Sequence, residues 1–313
     1  MSNILGIDTS NYTTSAALLD TETMTAIQCK KLLPVKSGEK GIRQSDAVFH
    51  HTKQLPQVLG GVLKNKTVIS SIGVSVKPRM TDGSYMPCFL VGETTAEAMG
   101  MALGITPDKT SHQIGHILSA LFSCGKLELA KGSAPFIAFH VSGGTTDMLL
   151  CTPDKDKLLD IKDIGHSLDL KAGQVIDRAG VMLGLDFPCG KELEKLAANC
   201  SRDFKIKPVT KGTDCCLSGI ENQCHKLFDL GESKEDIAMF CILSVYEAVK
   251  SMTKAALEKY GRMPLIYAGG VMSDKIIADR IKEEFGGYFA SPEFSCDNAV
   301  GVAVYSALRK GLI

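Results

Sequence analysis

The sequence predicts an α/β protein of two lobes, because predicted strands alternate with predicted helices along all 313 residues. A strand, a polar turn and a second strand occupy residues 3–19, and the same unit recurs at 136–151, which suggests two halves built on one plan. The chain has no long low-complexity linker, so we expect the lobes to share a cleft. Its length and its 44% hydrophobic content suffice for two domains.

The first half contains strands that are recognised by apolar or β-branched runs and helices that are recognised by apolar spacing. Residues 9–14 form a polar turn between the first two strands, and Gly92 and Gly104 frame the second helix. The predicted elements are strands at 3–8 and 16–19, a helix at 45–64, a strand at 68–76 and a helix at 93–103.

The second half follows the same logic. Ser111 is a suitable N-cap for the next helix, and apolar residues at helical spacing mark a long amphipathic helix further on. The predicted elements are a helix at 111–122, strands at 136–141 and 147–151, helices at 170–183, 191–198 and 237–252, a strand at 264–268 followed by a helix, and a final helix at 298–308.

Composition limits the classes of partner. The chain has 35 Lys and Arg against 35 Asp and Glu, which argues against a strong non-specific grip on nucleic acid but allows a local basic patch. No signal-peptide pattern and no apolar run of membrane-spanning length is present, so we expect a cytoplasmic protein without a membrane partner. The 11 cysteines include no C-x-x-C pair and are expected to be reduced.

His112 and His116 are four residues apart in a predicted helix, where both side chains share one face and could bind one ion. The zinc peptidase motif uses the same spacing with a glutamate as base, but Gln113 holds that position here. Spacing alone leaves two interpretations open: a pair of metal ligands, or two ordinary helical histidines.

Three turns rich in Gly, Ser and Thr follow predicted strands, at residues 8–14, 142–146 and 268–271. Glycines let backbone N–H groups approach phosphate oxygens, although tight turns also favour glycine. Acidic side chains near element ends, at Asp8, Asp177 and Asp297, could be helix caps, solvated groups or ligands.

The whole chain then resembles one family, the universal threonylcarbamoyladenosine synthases of tRNA, formerly labelled glycoproteases. The resemblance implies the two-lobed fold of actin, hexokinase and the heat-shock chaperone ATPases. It rests on landmarks in a fixed order, which are Leu5-Gly-Ile-Asp-Thr-Ser10, His112-x-x-Gly-His116, Val141-Ser-Gly-Gly144, Leu183-Gly-Leu-Asp-Phe-Pro188, Ala268-Gly-Gly-Val271 and Asp297-Asn298.

The resemblance implies a divalent metal ion, iron or zinc, bound by His112, His116 and Asp297. His140 stands where archaeal-type members have a tyrosine that reaches the metal, so it is the predicted fourth ligand. An adenylate, or ATP, is implied at a second group of residues. Asp274, one of these residues, stands at the position of a family Asn. Together with the turn residues, the group comprises Asp8, Ser142, Gly143, Gly144, Asp177, Gly190, Glu194, Gly269, Gly270 and Asp274.

We expect residues 1–108 to form the N-terminal lobe, completed by a C-terminal helix at 297–313, and residues 109–296 to form the C-terminal lobe. Nucleotide and metal would lie in the cleft between them. The implied reaction is transfer of a threonylcarbamoyl group from an acyl-adenylate to the exocyclic amine of the tRNA adenosine next to the anticodon. It requires no covalent protein nucleophile. Implied partners are an inactive paralogue subunit and an ATPase.

The chain departs from the family pattern at several places. The His after the two glycines is Thr145, and the acidic D-D-A-A-G-E stretch is Asp169-Leu-Lys-Ala-Gly-Gln174. These changes keep open a divergent paralogue that carbamoylates another acceptor. A nucleotide-binding scaffold subunit and a sugar kinase with Asp8 near the phosphates are further alternatives. A peptidase is not supported, since no base or nucleophile is suitably arranged.

Overall fold

The computed structural model describes residues 2–10, 12–34, 42–63, 67–295 and 299–313. The chain divides into two units. The first comprises Met1–Gly132, Pro153–Asp160 and Cys296–Ile313, and the second comprises Ser133–Thr152 and Ile161–Ser295. In the described ranges, no helix is both long enough and apolar enough to cross a membrane.

The helices and strands alternate as the sequence predicts. The first 132 residues form β1 (Asn3–Asp8), β2 (Thr13–Asp20), β3 (Thr25–Leu32), α1 (Gln44–Val62), β4 (Ile69–Lys77), α2 (Phe89–Leu103), β5 (Asp108–Ser111), α3 (His112–Ser123) and α4 (Glu128–Lys131). The rest form β6 (Phe136–Val141), β7 (Thr146–Asp154), β8 (Leu158–His166), α5 (Ala172–Met182), α6 (Gly190–Ala197), β9 (Val209–Lys211), β10 (Asp214–Cys216), α7 (Ser218–Asp229), α8 (Lys234–Tyr260), β11 (Leu265–Ala268), α9 (Lys275–Phe285), β12 (Tyr288–Phe289) and α10 (Val300–Arg309), with 3-10 turns at Gly270–Ser273 and Pro292–Phe294.

The first unit is built on a five-stranded sheet with the order β3-β2-β1-β4-β5. β1, β2 and β3 pair antiparallel, whereas β4 pairs parallel with both β1 and β5. Leu5 and Ile7 point to the face that carries α1 and α2, where they join a buried apolar cluster with Leu55 and Val74. Because side chains alternate along a strand, Gly6 presents the opposite face to α10.

Helix α3 belongs to the first unit because it packs closely against α10. At Gly301, a Cβ atom would overlap the carbonyl oxygen of Gly115, so only glycine permits this approach of the two helices. The sequence predicts that the second lobe starts at residue 109, whereas the second unit begins at Ser133. The contact of α3 with the C-terminal helix accounts for the difference.

The second unit repeats the plan of the first with the sheet order β12-β11-β6-β7-β8. Here β6 pairs antiparallel with β7 and parallel with β11, as β1 pairs with β2 and β4. The core lies between this sheet and the helices around α8, with Phe139, Val175, Cys241 and Tyr267 among its buried side chains. The predicted relation between the two halves is confirmed at the level of sheet topology.

Candidate functional site

The histidine pair lies at the edge of the first sheet where its parallel strands β1, β4 and β5 end. β1 ends at Asp8, and β5 ends at Ser111, immediately before His112. Because β1, β4 and β5 are parallel, their carboxyl ends meet at one edge of the sheet. Ser111 caps α3 as predicted, with its hydroxyl accepting the N–H of Ile114 at 3.3 Å. The sheet therefore brings the end of β1 to the start of α3.

Three side chains form a chain of contacts at this edge. Oδ2 of Asp8 lies 2.7 Å from Nδ1 of His112. Nε2 of His112 lies 2.9 Å from Nε2 of His116, with the ring planes at 78°. The side chain of His112 is 12% exposed and that of Asp8 is 2% exposed. The two histidines that the sequence places on one helix face are therefore in direct contact through their ring nitrogens.

Two imidazole nitrogens this close repel through their lone pairs unless a proton or a cation lies between them. Neutral imidazole nitrogens are preferred ligands of zinc and suit iron as well. A hydrogen bond between the two Nε2 atoms meets this condition, and a divalent cation bound by both would meet it as well. In the part of the chain that the structure describes, no three His, Cys, Asp or Glu side chains are grouped to hold one ion. The predicted ligand Asp297 lies outside the described residues.

His140 is the third histidine predicted to bind metal. It lies in β6, in the second unit, and its side chain is half-buried. Its carbonyl oxygen accepts the Thr145 hydroxyl at 3.1 Å, which ties the end of β6 to the following turn. Its predicted place in the metal site stays a prediction.

The turn at residues 142–146 is held by its own hydrogen bonds. The Ser142 hydroxyl accepts the N–H groups of Gly144 and Thr145, each at 3.2 Å, and the N–H of Ser142 donates to the carbonyl of Thr145 at 2.8 Å. A Cβ atom at Gly143 or Gly144 would meet nothing within 4 Å. These two glycines are therefore not required by packing within the protein, and they leave open space above the turn.

A second glycine turn lies beside the first because β11 runs parallel to β6. Ala268, the last residue of β11, is in register with His140. Gly269 has φ of +102°, and a Cβ atom there would overlap the carbonyl oxygen of Val141, so glycine is required. Gly270 and Gly190 face open space. The predicted turn residues at 142–144 and 269–270 therefore lie at one edge of the second sheet.

The three predicted acidic residues of this unit each accept a backbone N–H. Oδ1 of Asp177 accepts from Cys189 at 2.8 Å, Oε1 of Glu194 accepts from Lys275 at 3.0 Å, and Oδ1 of Asp274 accepts from Ile277 at 3.1 Å. Burial raises the pKa of the Asp274 carboxyl to about 6 and also raises that of Asp177. The acids thus fix α6 and α9 in place, and their predicted contacts with an adenylate remain predictions.

Asp8 is grouped with the nucleotide-binding residues by the sequence, but the structure places its carboxylate against His112 and the backbone of Ser10. The sequence analysis misses this contact because it does not predict β5, a short strand of four residues. With β5 parallel to β4, the ends of β1 and β5 become neighbours.

The repeated five-stranded sheets define a two-lobed α/β protein of the actin and hexokinase class. A solved structure with this fold is component A of the (R)-2-hydroxyglutaryl-CoA dehydratase from Acidaminococcus fermentans. It is 17% identical with a TM-score of 0.58, and the alignment covers 100% of this chain and 99% of that one. At this level of identity, the likeness concerns the fold alone.

Within this class, the sequence profile described as tRNA N6-adenosine threonylcarbamoyltransferase matches residues 30–304. A protein with that name from Methanopyrus kandleri is 25% identical over 91% of this chain and 80% of its own length. A probable bifunctional tRNA threonylcarbamoyladenosine biosynthesis protein from Thermoplasma acidophilum is 26% identical over 96% of this chain and 55% of its own length. The chain belongs to the tRNA N6-adenosine threonylcarbamoyltransferase family and is a transferase.

Proposed function

We propose that this chain transfers a threonylcarbamoyl group from an acyl-adenylate to N6 of the adenosine next to the anticodon in tRNA. The observation that carries the proposal is the family match over residues 30–304, which includes the histidine pair and both glycine turns. The Asp8–His112–His116 contacts support an intact centre rather than a relic of one.

His112 and His116 would hold one divalent ion, iron or zinc, with Asp297 and His140 as the further ligands. When bound, the ion would supply Lewis acidity toward phosphate and carbonyl oxygens of the donor. The facing Nε2 atoms of the two histidines support this assignment, since both nitrogens could bind the same ion. Nitrogen ligands with a carboxylate suit either metal.

The adenylate would lie along the two glycine turns of the second unit. Open space above Gly143, Gly144 and Gly270 would let phosphate and ribose approach the backbone, while the two hydrogen bonds that the Ser142 hydroxyl accepts hold the first turn in place. Asp274, at the start of α9, would face the adenosine. Rigid turns of this kind position a ligand without a large entropic cost at the time of binding.

In the transfer itself, the exocyclic amine attacks the carbamoyl carbon and forms the new C–N bond. The bond from that carbon to the phosphate oxygen breaks, adenosine monophosphate leaves with the electron pair, and the amine proton passes to solvent. No covalent intermediate with the protein is needed. Burial raises the pKa of the Cys215 thiol to about 11, which keeps it protonated and unreactive at neutral pH.

We also propose that the chain acts in the cytoplasm with further components, an inactive paralogue and an ATPase. The Thermoplasma relative is named bifunctional, and this chain matches 55% of its length. That name supports the proposal that this chain works with at least one further activity of the same pathway.

Two alternatives follow from the departures in sequence. Thr145 replaces the family histidine and bonds the carbonyl of His140, so the change could redirect a carbamoyl-type transfer to another acceptor. A non-catalytic scaffold role is disfavoured, because a scaffold would have no need for a carboxylate-supported histidine pair.

The direct test supplies purified chain with synthetic threonylcarbamoyl adenylate, unmodified tRNA and Zn²⁺ or Fe²⁺. Mass spectrometry of digested nucleosides measures the modified adenosine. We expect transfer by the wild type, loss of bound metal and of activity together in H112A, and no change in H166A, whose imidazole is exposed in the second unit. Stoichiometric metal in H112A would contradict the metal site. Adenylate turnover without tRNA modification would favour another acceptor.

A further inference from the structure

Asp8 is a buried carboxylate whose two oxygens contact different groups. Oδ1 accepts the N–H of Ser10 at 2.8 Å, and Oδ2 contacts Nδ1 of His112 at 2.7 Å. The side chain is only 2% exposed. Burial of an ionised carboxylate is costly unless hydrogen bonds compensate, so these contacts explain how the sequence tolerates a charge at this position.

The contact with Asp8 selects one tautomer of His112. A carboxylate can only accept, so Nδ1 of His112 carries the proton and Nε2 keeps its lone pair. That lone pair faces Nε2 of His116 at 2.9 Å. An imidazole with Nδ1–H bonded to a carboxylate is held in one orientation, and its other nitrogen becomes a stronger ligand.

Both partners in this contact lie on rigid elements. Asp8 ends β1, where the hydroxyl of Ser15 on the paired strand donates to the Asp8 carbonyl at 3.3 Å. His112 begins α3, which is fixed against α10 by the close approach at Gly301. Positioning from such supports is more reliable than positioning from a loop.

We infer that Asp8 is the positioning residue that orients His112 for metal binding. This inference rests on the proposed metal site and deepens it, since it assigns the carboxylate behind the first ligand. The two residues are 104 positions apart in the chain, and the parallel strands β1, β4 and β5 bring them together.

The test is the D8N variant, with the zinc dissociation constant measured by competition with a chelator. The amide that replaces the carboxylate has one acceptor oxygen, so it cannot accept from both the Ser10 N–H and the His112 Nδ1–H. We expect zinc affinity to fall by about 10- to 100-fold. The matched control is D214N, because Oδ1 of Asp214 also contacts a histidine, His166, at 3.5 Å but at an exposed site. The control should bind zinc as the wild type does.

A second measurement uses the wild type alone and therefore does not depend on the folding of a variant. Long-range ¹H–¹⁵N spectra of the metal-free protein report which ring nitrogen of His112 carries the proton, and we expect Nδ1–H. An Nε2–H tautomer, or zinc affinity in D8N equal to that of the wild type, would overturn the role of Asp8 while leaving the metal site standing. Absence of zinc binding by the wild type would instead contradict the proposed function itself.

Discussion

Among the single residues of the second unit, Asp274 has a raised pKa that leads to a testable prediction about stability. Burial raises the pKa of its carboxyl from 3.8 to about 6, and the nearby charge of Glu194 adds to the effect. Its Oδ1 still caps α9 by accepting the N–H of Ile277. The position therefore needs an acceptor for the helix but not a charge.

We expect D274N to stabilise the protein at neutral pH. The folded chain retains a proton that the unfolded chain loses between pH 3.8 and about 6, so wild-type stability falls as pH rises through this window. Asn keeps the cap without the charge. Above pH 6, urea unfolding should show D274N more stable by about 1–3 kcal/mol, and the difference should shrink toward pH 4.

The exposed Asp279 on the same helix provides the control. D279N should follow the wild-type profile at every pH. An equal stability difference for D274N at pH 4 and pH 7 would show that the carboxyl is not titrating as described.

Substitution of Gly144 distinguishes an effect on protein packing from an effect on ligand binding. Because a Cβ atom there meets no protein atom within 4 Å, G144A should leave thermal stability unchanged or slightly raised. If the turn holds the adenylate, the added methyl group occupies ligand space, at a cost of about 1–3 kcal/mol. Calorimetry should then show binding of adenosine monophosphate weakened by about tenfold or more. G60A, which also faces open space but lies in α1, should bind normally, and normal binding by G144A would remove the turn from the site.

At the scale of elements, the contact of α3 with α10 sets the position of the histidine pair. In G301A, the new Cβ atom would overlap the carbonyl oxygen of Gly115 and lie 2.6 Å from the N–H nitrogen of Ser119. The helices must separate, which we expect to cost about 2 kcal/mol or more in urea unfolding. G60A introduces the same methyl group into a helix with space around it and should gain up to about 1 kcal/mol. Equal effects of the two substitutions would mean that the helices do not pack as closely as the structure has them.

Elements with a strong apolar pattern are predictable from the sequence, whereas polar edge elements are not. The pattern predicts β6 at its observed residues and α3 with its Ser111 cap. β3 and β8 carry many charged and exposed residues at the edges of their sheets, so they lack the alternation that reveals a half-buried strand. Helix α7 buries only Ile220 and Cys224, which is too little for a periodic signal.

The candidate site shows the same division between local and long-range information. The pairing of His112 with His116 is visible in the sequence because one helical turn separates them. The contact of Asp8 with His112 is not, because it depends on the register of parallel strands far apart in the sequence. Residue patterns predict which groups share a helix face, but sheet order decides which groups meet across the chain.

At the scale of the whole molecule, net charge affects how strongly the chain would bind tRNA and how that binding depends on salt. With 35 basic and 35 acidic residues, the chain has no net excess of positive charge to attract nucleic acid. A protein that neutralises many phosphates shows a steep fall of affinity with salt, with a slope of about −0.9 per phosphate contact on duplexes and about −0.7 on single strands. A neutral chain can supply such contacts only through a local patch.

We therefore expect the chain alone to bind unmodified tRNA weakly and with a shallow salt dependence. Fluorescence anisotropy between about 50 and 200 mM salt should give a log–log slope smaller in magnitude than about 4. If a partner subunit supplies the missing cationic surface, the assembled complex should bind more tightly and show a steeper slope than the chain by itself. A slope of about −6 or steeper for the isolated chain would place a large basic surface on this molecule and remove the need for a partner in tRNA binding.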